Sequence, residues 1–432
     1  MENLTHTLMG LAAGESFARC TRAAEDVPTG RGLARAARRS LFVTLAAIGG
    51  NAPDLDLAWS YGRSDGRLGY LLEHRGYTHT LLGCLVLGTV LYGGAELWMR
   101  RRGLTPSCRD RIQLALVAVL GTLLHLAMDA LNSYGVHPFW PFDNRWFYGD
   151  SIFIAEPLLW LASLPLVFLV RTAAARWLMS AVGLLAVGAS VFIHSGAPLW
   201  QLSVVIAGAA LLAAGRLASA RDAALTSAAA MALVVGVALT CGTVAARRIE
   251  TLANRQFPEY RTLDHILTPT PTEPRCWDAL IVATRGDRYT VRHAILSLAP
   301  GVVAAAGCPE FALRRPTNPP RDAPGATSQP PAPVAHPVDA PDSAAIHWLG
   351  EYSMSRSQLV RLVREHCDAA GLMQFARAPF EFRYGESWLL GDLRFGGGAG
   401  FQIEVGDGRS ASCSIRVPWV PPRSDLLSPP AP

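Results

Sequence analysis

Long apolar segments recur along this sequence and restrict its fold more than any other feature. The chain is 50% hydrophobic with a mean hydropathy of +0.22, which is too apolar for an ordinary soluble protein. A membrane span needs ~20 apolar residues. The apolar segments are 4–18, 41–59, 78–99, 112–133, 151–170, 177–194, 198–215 and 223–245. The sequence predicts a multi-pass α-helical membrane protein of about six to eight helices, the first two forming a half-depth pair.

Basic residues between the apolar segments predict how the chain crosses the membrane. All 39 are arginines. The connections richest in arginine are 19–39, 100–111, 171–176 and 216–221. The positive-inside rule places these four in the cytoplasm, so that 60–77, 134–150 and everything after 246 lie outside, in the periplasm of a bacterial cell. Because topology explains these arginines, the net charge of +5 does not indicate direct binding to nucleic acid.

The character of the sequence changes after residue 246. We divide the chain into a helical membrane domain that holds the candidate metal site (1–170), additional transmembrane helices (171–246) and an extramembrane α+β domain (247–432). Within the last, alternating residues on either side of Gly286-Asp287 predict a β-hairpin. Residues 309–345 predict a stiff, disordered Pro-rich linker, 346–370 a helix and 380–417 a return to strands.

Four cysteines fall in the predicted external domain. Cys276, Cys308, Cys367 and Cys413 could form two disulfides, with three possible pairings that the sequence does not separate. Free buried thiols are the alternative.

Histidines and aspartates cluster where apolar segments begin or end. They are His6, Asp54, Asp56, His74, His79, His125 and Asp129. His125 and Asp129 are four residues apart, so their side chains share one face of a helix. Taken singly, these residues fit a polar helix seam, a helix cap or interfacial histidines. Because the predicted topology brings all seven to one depth, we predict that they share a metal centre.

This set of ligands predicts the chemistry of the centre. Imidazoles and carboxylates without cysteine suit Zn²⁺ best, with Mn²⁺ or Fe as alternatives, and seven ligands suggest two ions. Such a site activates water for hydrolysis of an ester or phosphoester. We assign catalytic roles to Asp54, Glu156 and Arg75, with Glu156 orienting a ligand or the water and Arg75, like Arg145, holding a phosphate. An arginine at the level of the lipid headgroups is the alternative for both arginines.

Five ordered motifs resemble a known family. They are NLTH at residue 3, NAPDLD at 51, HRGYTH at 74, HLAMDALNSYG at 125 and PFWPFDNRWFYGDSIFIAEP at 138. These residues resemble the YdjM-like family of inner-membrane-associated proteins, for which a metal-dependent hydrolase activity is inferred. The resemblance covers about 1–170 and implies metal-binding roles for the same seven residues. Asn3 stands where the family commonly has aspartate, and Glu156 where it usually has aspartate.

Two functions remain open at this stage. The first is a membrane-embedded hydrolase that cleaves a lipid or lipid-linked substrate through a metal-activated water. The alternative is a non-catalytic membrane protein with a structural metal and a partner-binding external domain. A transporter is disfavoured, because the sequence shows no matched helix breaks in two halves. The oligomeric state is left undecided.

Overall fold

The computed structural model describes residues 2–21, 32–60, 67–193, 198–309, 333–396, 401–406 and 417–427. The chain forms two compact units. The helical unit comprises 1–55, 77–140 and 152–239, and the sheet unit comprises 56–76, 141–151 and 240–432. Two short segments from within the predicted membrane domain, 56–76 and 141–151, therefore group with the C-terminal domain.

The described helices account for most of the N-terminal half of the chain. In chain order they are α1 Asn3–Cys20, α2 Arg35–Gly49, α3 Leu57–Ser60, α4 Arg67–Glu73, α5 Leu81–Arg101, α6 Cys108–Asp129, α7 Pro157–Ala162, α8 Ala173–Ile193, α9 Pro198–Leu217, α10 Ala220–Gln256, α11 Arg356–Glu365, α12 Cys367–Met373 and α13 Ser424–Leu427. Among the described residues, five helices are long and apolar enough to cross a membrane: α5, α6, α8, α9 and α10. The predicted class, a multi-pass helical membrane protein with an α+β domain, is confirmed.

Not every predicted apolar segment forms a single helix. Segment 41–59 ends its helix at Gly49 and continues as a 3₁₀ turn, Ala52–Asp56. Segment 151–170 becomes α7 followed by a 3₁₀ turn, Leu164–Phe168. Pro157 occupies the first turn of α7 and Pro165 the start of the 3₁₀ turn, because proline lacks the N–H that a continuing helix requires. Neither segment therefore forms one full span.

Helices α1, α2, α5 and α6 pack through small residues. A Cβ on Gly10 of α1 would lie 2.5 Å from the Ala46 carbonyl oxygen of α2, and one on Gly121 of α6 would lie 2.9 Å from the same atom. A Cβ on Gly88 of α5 would lie 2.7 Å from Val119 Cα of α6. Glycines allow helix backbones to approach this closely, as at other interfaces between membrane helices.

The residue contacts fix the direction of each of these helices. Near the start of α1, Gly50 lies against His6, and further along α1 Gly14 lies against Val43, so α1 and α2 are antiparallel. Arg38 of α2 pairs with Asp110 near the start of α6, whereas Gly49 packs at Gly121, so α2 and α6 run in the same direction. Helix α5 runs antiparallel to α6. The start of α1, the end of α2, the start of α5 and the end of α6 therefore lie together.

Among its described residues, the sheet unit contains two antiparallel sheets with strand orders β1-β2-β3-β4 and β5-β6-β7. The strands are β1 Arg261–Thr270, β2 Glu273–Arg285, β3 Arg288–Ser297, β4 Ile346–Ser355, β5 Pro379–Tyr384, β6 Ser387–Asp392 and β7 Gln402–Val405. The predicted hairpin at Gly286-Asp287 is confirmed: Arg285 pairs with Arg288, and Gly286 has a φ of 59°. Ala245, Ile249 and Ala253 of α10 pack against the first sheet.

Two predictions for this unit are wrong in part. Residues 346–355 form strand β4, and the helix begins only at Arg356. The alternating burial of Ile346, Trp348 and Gly350 is the strand signal that the helical prediction overlooked. In the predicted linker, 310–332 lie outside the described residues, but His336 exchanges backbone hydrogen bonds of 2.8 and 2.7 Å with Glu351 and so covers the edge of β4.

Disulfide bonds occur in the sheet unit. Cys276 is joined to Cys308 with a Cα–Cα distance of 5.8 Å. Cys367 is also disulfide-bonded. The fourth cysteine of the domain, Cys413, lies outside the described residues.

Candidate metal centre

Four buried side chains of the helical unit converge where the bundle ends meet. Asp54 follows α2, His79 precedes α5, and His125 and Asp129 lie in the last turns of α6. His79 Nε2 lies 3.0 Å from His125 Nε2, 3.3 Å from Asp54 Oδ1 and 3.4 Å from Asp129 Oδ2. His125 Nε2 lies 3.5 Å from Asp54 Oδ1 and 3.6 Å from Asp129 Oδ2. Together these four residues could hold a metal ion.

The spacing of these atoms suits a small divalent cation. In a tetrahedral zinc site with metal–ligand distances of about 2.0–2.1 Å, neighbouring ligand atoms lie about 3.3–3.4 Å apart. The five separations, from 3.0 to 3.6 Å, surround that value. Two carboxylates carry two negative charges into a buried site, and a divalent cation would neutralise them. The donor set therefore fits Zn²⁺ in both chemistry and spacing.

Neighbouring groups orient both imidazoles. His125 Nδ1 donates to the Gly50 carbonyl oxygen at 2.7 Å, and His79 Nδ1 lies 3.0 Å from Thr78 Oγ1. Contacts of this kind turn Nε2 of each ring toward the shared centre, as in other metal sites. No motif in the sequence indicated these roles for Gly50 and Thr78. Only the position of Thr78 next to His79 hinted at one of them.

His6 lies beside the four residues and faces the carboxylate oxygen of Asp129 that the other two imidazoles do not face. Its ring stacks on that of His125 with centroids 3.7 Å apart, and its Nε2 lies 3.3 Å from Asp129 Oδ1. The other oxygen of Asp129, Oδ2, faces His79 and His125. The helical unit thus brings together five of the seven predicted ligands, with Asp129 between His6 and the other imidazoles.

The two remaining predicted ligands, Asp56 and His74, pair with each other in the sheet unit. His74 Nδ1 lies 2.9 Å from Asp56 Oδ1, and the Arg75 backbone N–H donates to Asp56 Oδ2 at 3.0 Å. Both side chains are buried. Asp56 ends the same 3₁₀ turn that carries Asp54.

The predicted catalytic residues besides Asp54 have clear structural contacts. Glu156 caps α7 by accepting a 3.0 Å hydrogen bond from the Leu158 backbone N–H. Arg75 is buried and has a φ of 61°, which is unusual for a residue other than glycine. Arg145 is exposed and pairs with Asp143 through a 2.6 Å contact. Catalytic roles for Glu156 and Arg75 stay predictions.

The comparison with known families concerns the N-terminal part of the chain. Residues 1–197 match the family model described as YdjM inner membrane protein. No curated protein and no solved structure matches the chain. The family description names no enzymatic activity. Together with the five potential membrane spans among the described residues, it supports an inner-membrane location. Residues 1–197, a little under half of the chain, are therefore similar to the YdjM family of inner membrane proteins.

Proposed function

We propose that this chain is a membrane-embedded, metal-dependent hydrolase that cleaves an ester or phosphoester of a lipid or lipid-linked substrate. The observation that carries this proposal is the convergence of His6 with the four-residue group Asp54, His79, His125 and Asp129. A structural zinc ion needs only four protein ligands. The additional imidazole beside Asp129 exceeds that need and favours a reactive site.

The residues of the group would have distinct roles. His79, His125, Asp54 and Asp129 would hold the metal, which when bound lowers the pKa of a water ligand and supplies a nucleophile at neutral pH. Asp54 is 9% exposed, whereas His79 and Asp129 are 0% exposed, so Asp54 is the ligand nearest to an incoming substrate. His6, stacked on His125, would keep Asp129 oriented through its second oxygen.

Exposed apolar side chains next to the ligands support a lipid substrate. Leu55, the neighbour of Asp54, is 61% exposed, and Tyr77, two residues before His79, is 45% exposed. Phe139, in the loop that follows α6, is 52% exposed. Apolar and aromatic side chains at the end of a membrane bundle are typical of the boundary between headgroups and acyl chains. A substrate reaching the site there would carry an apolar portion.

The cysteines support a periplasmic C-terminal domain. Disulfides persist in oxidising compartments such as the periplasm, and the sheet unit contains the Cys276–Cys308 bond. The free cysteines Cys20 and Cys108 lie at the bundle end opposite to the metal centre, beside the arginine-rich connections. We therefore place the metal centre toward the periplasmic face and the free cysteines toward the cytoplasm.

A structural metal is the second candidate function, and one observation favours it. Four protein donors at tetrahedral spacing would close the coordination of a zinc ion without a water. The external domain would then serve to bind a partner.

Metal analysis and a hydrolysis assay on the same preparation separate the two candidates. Full-length protein in detergent–lipid micelles should contain stoichiometric metal and cleave a member of a panel of phospholipids and lipid-linked phosphates. A chelator should abolish cleavage, and Zn²⁺ or Mn²⁺ should restore it. His125→Ala should lose metal and several orders of magnitude in rate, whereas His336→Ala, a change at an exposed histidine of the sheet unit, should do neither. Metal-loaded protein that cleaves nothing across the panel would favour the structural metal.

A further inference from the structure

We propose that Trp419, near the end of the chain, is a positioning residue that holds the backbone carrying Asp56 and His74, and through it the metal centre. This inference rests on the proposed metal-binding function. The segment 56–76 begins two residues after Asp54 and ends three residues before His79. Whatever fixes this segment therefore fixes the chain next to two members of the candidate ligand group.

Trp419 contacts this segment inside the sheet unit. Its indole Nε1 donates to the Leu72 carbonyl oxygen at 2.8 Å, at the end of α4. A Cβ on Gly76 would lie 3.1 Å from Trp419 Cζ2, so the indole ring lies close over that glycine. Trp419 is only 3% exposed. The ring therefore covers both sides of the turn that contains His74.

The turn under Trp419 is one that needs external support. Arg75 has a φ of 61°, a left-handed conformation that is unfavourable for a side chain of this size. Such a residue keeps this conformation only where its surroundings enforce it. The Arg75 backbone N–H donates to Asp56 Oδ2 at 3.0 Å, and the same carboxylate faces His74 Nδ1 at 2.9 Å. The strained turn and the Asp56–His74 pair are therefore one arrangement.

The same C-terminal part of the chain also contacts the second inserted segment, 141–151. The Val420 backbone N–H donates to the Asn144 carbonyl oxygen at 3.0 Å. Trp146 Nε1 donates to the Gln374 carbonyl oxygen at 2.8 Å. Segment 141–151 begins 12 residues after Asp129. The C-terminal part of the chain thus contacts both of the segments, 56–76 and 141–151, that interrupt the helical unit along the sequence.

This arrangement gives the C-terminal domain a defined task. Residues that orient metal ligands without touching the metal typically change metal affinity by about 10–100-fold when they are removed. Trp419 acts one step further out, through the turn at Arg75, so an effect near the lower end of that range is expected. A partner that displaced Trp419 would lower metal affinity in the same way.

The test uses full-length protein in detergent micelles and Co²⁺ as a spectroscopic substitute for zinc. Trp419→Ala should weaken Co²⁺ binding about tenfold and alter its visible absorption spectrum. Trp419→Phe, which retains a ring over Gly76 but lacks the N–H, should give an intermediate result. Trp388→Ala, in β6 of the same unit, is the matched control and should match wild type. Wild-type affinity and spectrum in Trp419→Ala would overturn the proposal.

A second measurement does not depend on metal. Amide hydrogen exchange in the peptide 72–79 should become at least about tenfold faster in metal-free Trp419→Ala, because the turn loses its support. Trp388→Ala should leave that peptide unchanged. Unchanged protection in Trp419→Ala would overturn the positioning role even if the chain binds metal. Absence of metal from wild-type protein, together with faster exchange in Trp419→Ala, would instead refute the proposed function and leave the positioning role supported.

Discussion

Buried carboxylates occur in both units, but they face different kinds of neighbours. In the sheet unit, Asp150 and Asp264 lie 2.8 and 2.7 Å from nitrogens of one arginine, Arg377. In the helical unit, Asp54 and Asp129 face the imidazole nitrogens of His79 and His125. An arginine is always charged and neutralises a carboxylate permanently. An imidazole is neutral over much of the physiological pH range and serves better as a ligand.

This difference distinguishes carboxylates that an arginine already neutralises from carboxylates that a bound cation would neutralise. A buried carboxylate is unfavourable unless something positive compensates it. Arginine is that compensation for Asp150 and Asp264 in the sheet unit: burial alone would raise the pKa of Asp264, but the nearby Arg377 lowers it overall. For Asp54 and Asp129 in the helical unit, the matching compensation would be a metal ion. The contrast predicts that removing the charge of Asp129 stabilises the metal-free helical unit, whereas removing the charge of Arg377 destabilises the sheet unit.

The largest expected effect concerns Asp129. Asp129→Asn keeps the shape of the side chain but removes one negative charge, so metal affinity should fall by more than about 100-fold. After chelation, the same variant should unfold at a higher temperature than wild type, corresponding to about 1–3 kcal/mol, because a repulsive buried charge is gone. Thermal unfolding with and without chelator measures both. Asp339→Asn, an exposed change, should alter neither. If metal-free Asp129→Asn were less stable than metal-free wild type, the charge of Asp129 would already be compensated without a metal, which contradicts the proposed difference between the two units.

The second expected effect concerns Arg377, and its sign is opposite. Arg377→Ala leaves Asp150 and Asp264 buried without their shared cation, which should lower the free energy of unfolding of the sheet unit by about 3–5 kcal/mol. Arg145→Ala removes an arginine of the same unit whose ion pair with Asp143 is exposed. It should leave the free energy of unfolding almost unchanged, because an exposed ion pair contributes little to stability. Urea unfolding followed by near-UV circular dichroism compares the two, and equal losses would mean that burial does not determine the effect.

The sequence predicted the helical unit better than the sheet unit for a physical reason. Apolar length is a local property, so the membrane class could be predicted from it. The side of the membrane that the arginine distribution assigns to each connection stays a prediction. The spacing of His125 and Asp129 on one helix face was also local. The directions of α1, α2, α5 and α6 then follow from the glycine contacts, which place the bundle ends together as the predicted topology requires.

Long-range contacts were the part that the sequence did not predict. Leu359 and Leu362 suggested a helix from residue 346, but pairing with β3 makes 346–355 a strand. No local signal indicated that Asp150 contacts Arg377 or that Trp419 contacts Leu72. For the same reason, the sequence did not indicate that Asp56 pairs with His74.

The smallest expected effect concerns a carboxylate that a proton can neutralise. Glu381 on β5 is 7% exposed, and burial raises its pKa to about 7 against the opposing influence of Arg361. Since the pKa of glutamate in an unfolded chain is about 4.3, the folded protein binds the proton more tightly. The resulting stabilisation is complete below about pH 4 and is lost as the pH rises through about 7.

A Glu381→Gln substitution tests this directly, because glutamine resembles the protonated side chain at every pH. Between pH 5 and 8 the free energy of unfolding of wild type should fall by about 1–2 kcal/mol more than that of the variant, since partial contact with solvent reduces the full effect of the pKa shift. Above pH 7 the variant should therefore be the more stable protein. Glu404→Gln changes an exposed glutamate on β7 of the same sheet and should follow the wild-type profile. Parallel profiles for Glu381→Gln and wild type would show that Glu381 is compensated by arginine rather than by a proton, which would place it with Asp264.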